Sequence, residues 1–103
     1  PMYLNAAAVG ETTLSARALL EALMAIEDEQ GRDRPYANAP RSLDLDLILF
    51  GDHTSAEPGL ILPHPRFRQR RFVLEPLASI APDLRDPVSG RSVADLLQEL
   101  GAA

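Results

Sequence analysis

The 103-residue sequence contains no cysteine, no tryptophan and no lysine. Without cysteine there is no disulfide frame, no thiolate nucleophile and no cysteine-bound metal, which matches a reducing, cytoplasmic setting. Without lysine there is no Walker-type phosphate loop, and none of the dinucleotide, zinc-protease or serine-hydrolase signatures occurs either. No apolar run approaches the roughly 20 residues that span a bilayer, and no signal-peptide pattern is present. The net charge of −5 disfavours duplex nucleic acid or an anionic membrane as a partner. Aromatic residues make up only 5% of the chain, so a base-stacking surface is poorly supplied.

What is present is arginine, and it is bunched. Residues 32–71 hold seven (Arg32, Arg34, Arg41, Arg66, Arg68, Arg70 and Arg71) against five acids, a local +2 inside an acidic chain. The planar guanidinium fork grips phosphate or carboxylate by two parallel hydrogen bonds. The apolar fraction of 46% argues against disorder, and the length allows one domain over 1–103. Pro1 precedes Met2, so further residues are expected upstream.

Residues 3–10 read as a weak strand. Residues 14–30 read as a helix, with Leu19 or Leu20, Leu23 and Ile26 on one face, Ser15 as cap and Gly31 as stop. Its last turn carries Glu27, Asp28 and Glu29 at the negative end of the helix dipole, where cations are preferred. Two explanations stand open: pairing with Arg32 and Arg34, or a functional carboxylate. Residues 32–42 form a loop punctuated by Pro35 and Pro40. Residues 43–50 give the strongest strand pattern, turned by Gly51-Asp52, with 60–62 as a short return strand. Pro65 is expected to open a short helix over about 66–74 and Pro76 to end it. Residues 77–91 are expected to be loop-rich. Ser92 should cap a last helix carrying Leu96, Leu97 and Leu100, stopped by Gly101.

Two constellations carry chemistry. On a strand Asp44 and Asp46 point to one face, about 6.5–7 Å apart, with Leu43, Leu45 and Leu47 on the other. Close carboxylates repel unless a cation lies between them, and open hard-oxygen sites suit Mg²⁺, which completes its shell with water and substrate phosphates. Arg32, Arg34 and Arg41 just upstream would neutralise those phosphates. A solvated strand end beside a salt-bridged loop is the alternative. In Pro63-His64-Pro65 the two prolines restrict the backbone around one histidine, and Arg66, Arg68, Arg70 and Arg71 follow; here too a purely structural turn is the alternative. His53, in a polar turn, receives no role.

The blocks Ala-Pro-Arg-Ser-Leu-Asp-Leu-Asp-Leu-Ile-Leu-Phe-Gly (39–51), Leu-Pro-His-Pro-Arg (62–66) and Arg-Arg-Phe-Val-Leu-x-Pro-Leu (70–77), then Ile-Ala-Pro (80–82), resemble 6-hydroxymethyl-7,8-dihydropterin pyrophosphokinase of folate biosynthesis. Tyr-Leu-Asn-Ala (3–6) and Ile26-Glu27 to Gly31-Arg32-x-Arg34 fit the same family in order and spacing. The resemblance implies transfer of pyrophosphate from ATP to the pterin hydroxymethyl group, with release of AMP. It implies Asp44 and Asp46 as ligands of two Mg²⁺ ions, and Glu27, Arg32, Arg34, Arg41, His64 and Arg70 as ATP-binding residues. It also implies Tyr3, Asn5 and Phe72 in the pterin pocket, and Arg41, Asp46 and Arg70 in catalysis, with Asp46 the candidate to receive the hydroxyl proton. Asn38 stands where the family often has tryptophan, in a loop one residue shorter, with Tyr36 as a substitute ring. Ala37 stands where many members carry a charge, and no role passes to Gly59 or Pro65.

The family fold is α+β, a ferredoxin-like sandwich with helices on one antiparallel sheet. Its opening strand, Gly-Ser-Asn turn, first helix, second strand and pterin-holding Thr-Pro stretch have no counterpart here. The resemblance therefore implies the C-terminal two-thirds of one domain, inactive in isolation, with another segment or chain supplying the first strands. The other function classes to weigh are a non-catalytic phosphate or single-stranded nucleic-acid binding module, suggested by the arginines, and an inactive fragment of the enzyme.

Overall fold

The computed structural model describes residues 4–32 and 43–101, with the Arg32 side chain left aside. The described chain is α+β: α1 (Ala16–Arg32), β1 (Ser55–Glu57), β2 (Leu60–Leu62), a 3-10 turn (Phe67–Gln69), α2 (Arg71–Ile80) and α3 (Val93–Gly101). Its packing divides into two units, Thr13–Leu47 and the combination of Pro1–Thr12 with Ile48–Ala103.

In the first unit, α1 starts where the sequence predicts. The Ser15 hydroxyl accepts the Ala18 N–H at 3.1 Å, and the Ser15 carbonyl accepts the Leu19 N–H at 2.9 Å, which makes Ser15 the cap. The helix runs through Gly31 to Arg32, because glycine weakens a helix without forbidding it. Glu27 to Glu29 therefore sit mostly above the last turn, where the dipole penalty has largely decayed. Leu19, Leu20 and Leu23 are half-buried, while Ile26 and Met24 are exposed.

The second unit holds the core. Phe67, Leu74 and Val93 are fully buried, and Leu77 and Leu96 nearly so; Ala7, Ile48 and Leu49 pack against them. β1 and β2 pair antiparallel with Glu57 opposite Leu60. Pro58-Gly59 makes the turn, with Gly59 at φ +79°, a backbone setting that glycine adopts without a Cβ penalty. Leu60 and Leu62 face inward, and Ile61 faces out.

Several expectations need correction. Residues 4–10 and 43–50 belong to no strand ladder. A ladder needs a partner, and the backbone groups resolved there go elsewhere: Leu45 N–H to a side chain, Ile48 C=O to the His64 N–H. The return strand 60–62 pairs with 55–57 rather than with 43–50. The segment after Pro65 is a 3-10 turn followed by a longer helix, and Pro76 lies inside α2 rather than ending it. An interior proline costs about 3 kcal/mol through its lost N–H and the carbonyl it crowds. Burial of Leu74 and Leu77 on either side offsets this, at roughly 1.5–3 kcal/mol each. Consequently 77–80 is helix rather than loop.

α3 begins as predicted, with the Ser92 hydroxyl accepting the Asp95 N–H at 3.1 Å, and it includes Gly101. The loop between α2 and α3 is tied back on itself. Asp86 N–H donates to Arg91 C=O at 2.9 Å and Val93 N–H to Leu84 C=O at 2.8 Å. Gly90, at φ +75°, lets the chain turn sharply enough for its N–H to reach Asp86 C=O at 2.8 Å. Among the described residues no helix is long and apolar enough to cross a membrane.

Candidate functional site

The Asp-x-Asp segment carries the exposure pattern of a strand although it lacks a ladder. Leu43, Leu45 and Leu47 are half-buried, and Asp44 and Asp46 between them are exposed. Both carboxylates thus share the solvent side, as the alternation predicts. The N–H of Leu45, lying between them, donates to Oε2 of Glu27 at 2.6 Å. A carboxylate accepting from a backbone amide makes a strong, charge-assisted bond, and this one ties α1 to the aspartate segment across 18 residues. Glu27 is therefore engaged with the backbone beside the aspartates, an arrangement that neither explanation of the acidic helix end had considered.

Among the described residues no group of three or more His, Asp or Glu side chains gathers to form a metal cage. Two hard, solvent-facing carboxylates are nevertheless the donor set that Mg²⁺ uses when phosphates and water supply its other ligands. The residues present fit that ion in donor type and exposure.

The second constellation lies around the Pro-His-Pro turn and the arginines after it. The His64 N–H donates to Ile48 C=O at 2.8 Å, and its ring Nδ1 accepts the Arg66 N–H at 3.3 Å. With Nδ1 acting as acceptor, the neutral ring carries its proton on Nε2, which is then the donor left for a ligand. Arg70 caps α2 in an extended conformation. Its N–H donates to Phe67 C=O at 3.3 Å, and its own C=O accepts the Val73 and Leu74 N–H groups at 3.0 Å. The Arg70 guanidinium lies over the Phe72 ring, 5.6 Å from its centroid, and Phe72 is 52% exposed. Phe72 therefore has a ring that is partly open to solvent and contacted by a cation.

The arginine run also contains a pair that sequence reasoning missed. Asp86 is completely buried, and both its carboxylate oxygens accept from Arg68. Nε donates to Oδ2, and Nη2 donates to Oδ1 at 2.8 Å. The Val88 N–H and the Ser89 hydroxyl add bonds of 3.0 and 2.7 Å. The Arg68 fork holds the Asp86 carboxyl far below its ordinary range; burial acts the other way, and Ser89 and Val88 add to the lowering. Arg68 is correspondingly raised by the same bond. A signal for the local half of this was present: Asp-Pro-x-Ser-Gly (86–90) is an aspartate-initiated turn signature, in which the carboxylate binds groups just downstream.

The other predicted residues fall as follows. Asn5 is exposed in the irregular stretch before α1. Tyr3, Arg34 and Arg41 lie outside the described residues, as do Tyr36, Ala37 and Asn38, and Arg32 is placed only as the last residue of α1. His53 packs edge-on against Phe50, with ring centroids 5.7 Å apart.

Comparison with known proteins adds the family. Residues 1–82 match the family model of 7,8-dihydro-6-hydroxymethylpterin-pyrophosphokinase. The chain belongs to this family. It is 44% identical over 100 residues to a 2-amino-4-hydroxy-6-hydroxymethyldihydropteridine pyrophosphokinase of Synechocystis sp., covering 97% of this chain and 51% of that protein. It is 48% identical over 97 residues to the Pseudomonas aeruginosa protein of the same name, covering 94% and 59%. It is 38% identical over 101 residues to a folate synthesis bifunctional protein of Chlamydia muridarum, covering 91% and 22%. The chain thus spans about half the length of the first two. The family model of this pyrophosphokinase ends at residue 82, before Asp86 and α3, while the alignment to the Synechocystis protein, over 97% of the chain, extends across them.

Proposed function

We propose that the chain carries the phosphate- and metal-binding part of an enzyme that transfers pyrophosphate from ATP to the hydroxymethyl group of 6-hydroxymethyl-7,8-dihydropterin. The products are AMP and the pterin diphosphate. The observation that carries this reading is the exposed Asp44 and Asp46 pair, whose intervening backbone amide is held by Glu27. That arrangement leaves both aspartates on the exposed side of the segment, while the tie itself uses the Leu45 amide.

Asp44 and Asp46 would hold Mg²⁺, two ions in the fullest form of the reading, and magnesium bound there neutralises the charge on the ATP phosphates. Glu27 keeps the Asp44–Asp46 backbone in place. His64 donates from Nε2 to a phosphate oxygen near the leaving group. Arg70, rooted between the 3-10 turn and α2, places its guanidinium against the polyphosphate and supports the charge that builds as the pterin hydroxyl attacks the β-phosphorus in line. Arg32, Arg34 and Arg41 belong to the same clamp. Asp46 receives the hydroxyl proton. Phe72 offers a ring face, and Asn5 and Tyr3 an amide and a second ring, to the pterin. The complete fold is the ferredoxin-like sandwich, with 43–50 as one of its strands and its partner strands supplied by chain outside these residues.

The test is AMP release from ATP in the full-length protein, with the dihydropterin as acceptor. Asp46→Ala should lower turnover by about 10³-fold, the scale on which removal of a transition-state charge stabiliser acts. A variant within tenfold of the parent refutes the assignment.

A further inference from the structure

Among the described residues, Arg68 is the one member of the arginine run at 66–71 that an acid holds. That acid, Asp86, has no exposed surface, and burying a carboxylate is expensive unless it is fully bonded. Here it is, by the four donors described above. The bond fixes more than the two side chains. Arg68 is the middle residue of the 3-10 turn, and its guanidinium also lies 4.9 Å above the ring of Phe67, which is itself wholly buried in the core. Phe67 C=O in turn receives the N–H of Arg70. A continuous set of contacts therefore runs from Asp86 through Arg68 and Phe67 to the backbone root of Arg70.

We propose that Asp86, in the loop between α2 and α3, is a positioning residue for Arg70: by locking Arg68 it fixes the turn from which Arg70 reaches an ATP phosphate. The inference rests on the reading of Arg70 as a phosphate-binding residue. Two physical effects follow from the lock. Neutralising Arg68 lowers the repulsion among four arginines within six residues, and it withdraws Arg68 as a competing, mispositioned anion site. Fixing the turn removes from Arg70 the freedom that would otherwise be lost on binding.

A merely structural ion pair would also be buried, so the test separates the two roles. In the full-length protein, KM for ATP and kcat are measured well below the melting temperature for Asp86→Asn, Arg68→Gln, their double variant, Arg70→Ala and Val93→Ala. Val93 is fully buried in the same core, so Val93→Ala lowers stability without removing a charge. Asp86→Asn should raise KM for ATP about tenfold, a fraction of the ~100-fold that a 1 Å misplacement can cost, while Val93→Ala stays within twofold of the parent. Arg68→Gln and Asp86→Asn should be non-additive in kcat/KM. If Asp86→Asn does not fold, Arg68→Lys, which keeps the charge and loses the fork, carries the same expectation. A KM for ATP in Asp86→Asn, or in Arg68→Lys where it is used, no different from that of Val93→Ala overturns the proposal while Arg70→Ala is impaired. An Arg70→Ala enzyme with parental KM and kcat refutes the underlying phosphate reading instead.

Discussion

Replacing Asp86 by asparagine should destabilise the protein more than any other single isosteric change in the loop between α2 and α3. The carboxylate accepts two bonds from Arg68 and one each from Val88 and Ser89, with none of its surface in water. Asparagine keeps the shape but turns one acceptor oxygen into a donor, which must then face a donor. Removing one partner of a buried ion pair costs about 3–5 kcal/mol. The Arg68 side chain is 30% exposed, so its guanidinium can recover some hydration, which places the loss near the lower end, about 3 kcal/mol.

The same pair fixes a pH signature. The folded-state pKa of Asp86 is depressed from an ordinary 3.8, so its stabilisation is complete above that value and is lost as pH falls from about 4 toward the lower folded-state value. The stability difference between the parent protein and Asp86→Asn should therefore be constant from pH 5 to 8 and shrink between pH 4 and 2. Urea denaturation followed by far-ultraviolet circular dichroism, repeated across that range, reads both quantities. A difference below 1 kcal/mol at pH 7, or one that does not change with acid, would refute the reasoning.

Two further outcomes follow from single contacts. Ser92→Ala removes the hydroxyl that accepts the Asp95 N–H and should cost about 1 kcal/mol in the same urea assay, with a loss under 0.3 kcal/mol counting against the cap. If Glu27 acts through the Leu45 amide, then Glu27→Gln, which retains an acceptor oxygen, should keep most Mg²⁺-dependent ATP affinity by calorimetry. Glu27→Ala should lose it, and equal losses in both variants would point instead to direct contact of the Glu27 charge with the ligand.

How far the sequence could be read depended on whether a feature was local. Ser15 and Ser92 were legible as caps because a cap is decided by its own hydroxyl and the amides three residues on. The short strand at 60–62 was legible as an apolar run stopped by Pro63, and the exposed pair Asp44 and Asp46 from alternation, which needs only the period of an extended chain. Pro76 was misread because proline's local cost is real, and what outweighs it, the burial of Leu74 and Leu77, is tertiary. The ladder predicted over 43–50 fails for a related reason: alternation specifies an extended backbone, but pairing belongs to two segments. Glu27 and Asp86 mark the limit most clearly. Each sits 18 residues from the group it binds, and no local rule connects residues so far apart. Yet both left a trace, Glu27 as an acid near the end of a helix and Asp86 as the first residue of an Asp-Pro-x-Ser-Gly turn. For each, the informative question was which donor it holds. The donors prove to be the amide between the two candidate metal ligands and the arginine two residues before the candidate phosphate ligand. Each acid thus bonds a donor that neighbours, along the chain, residues of the candidate site.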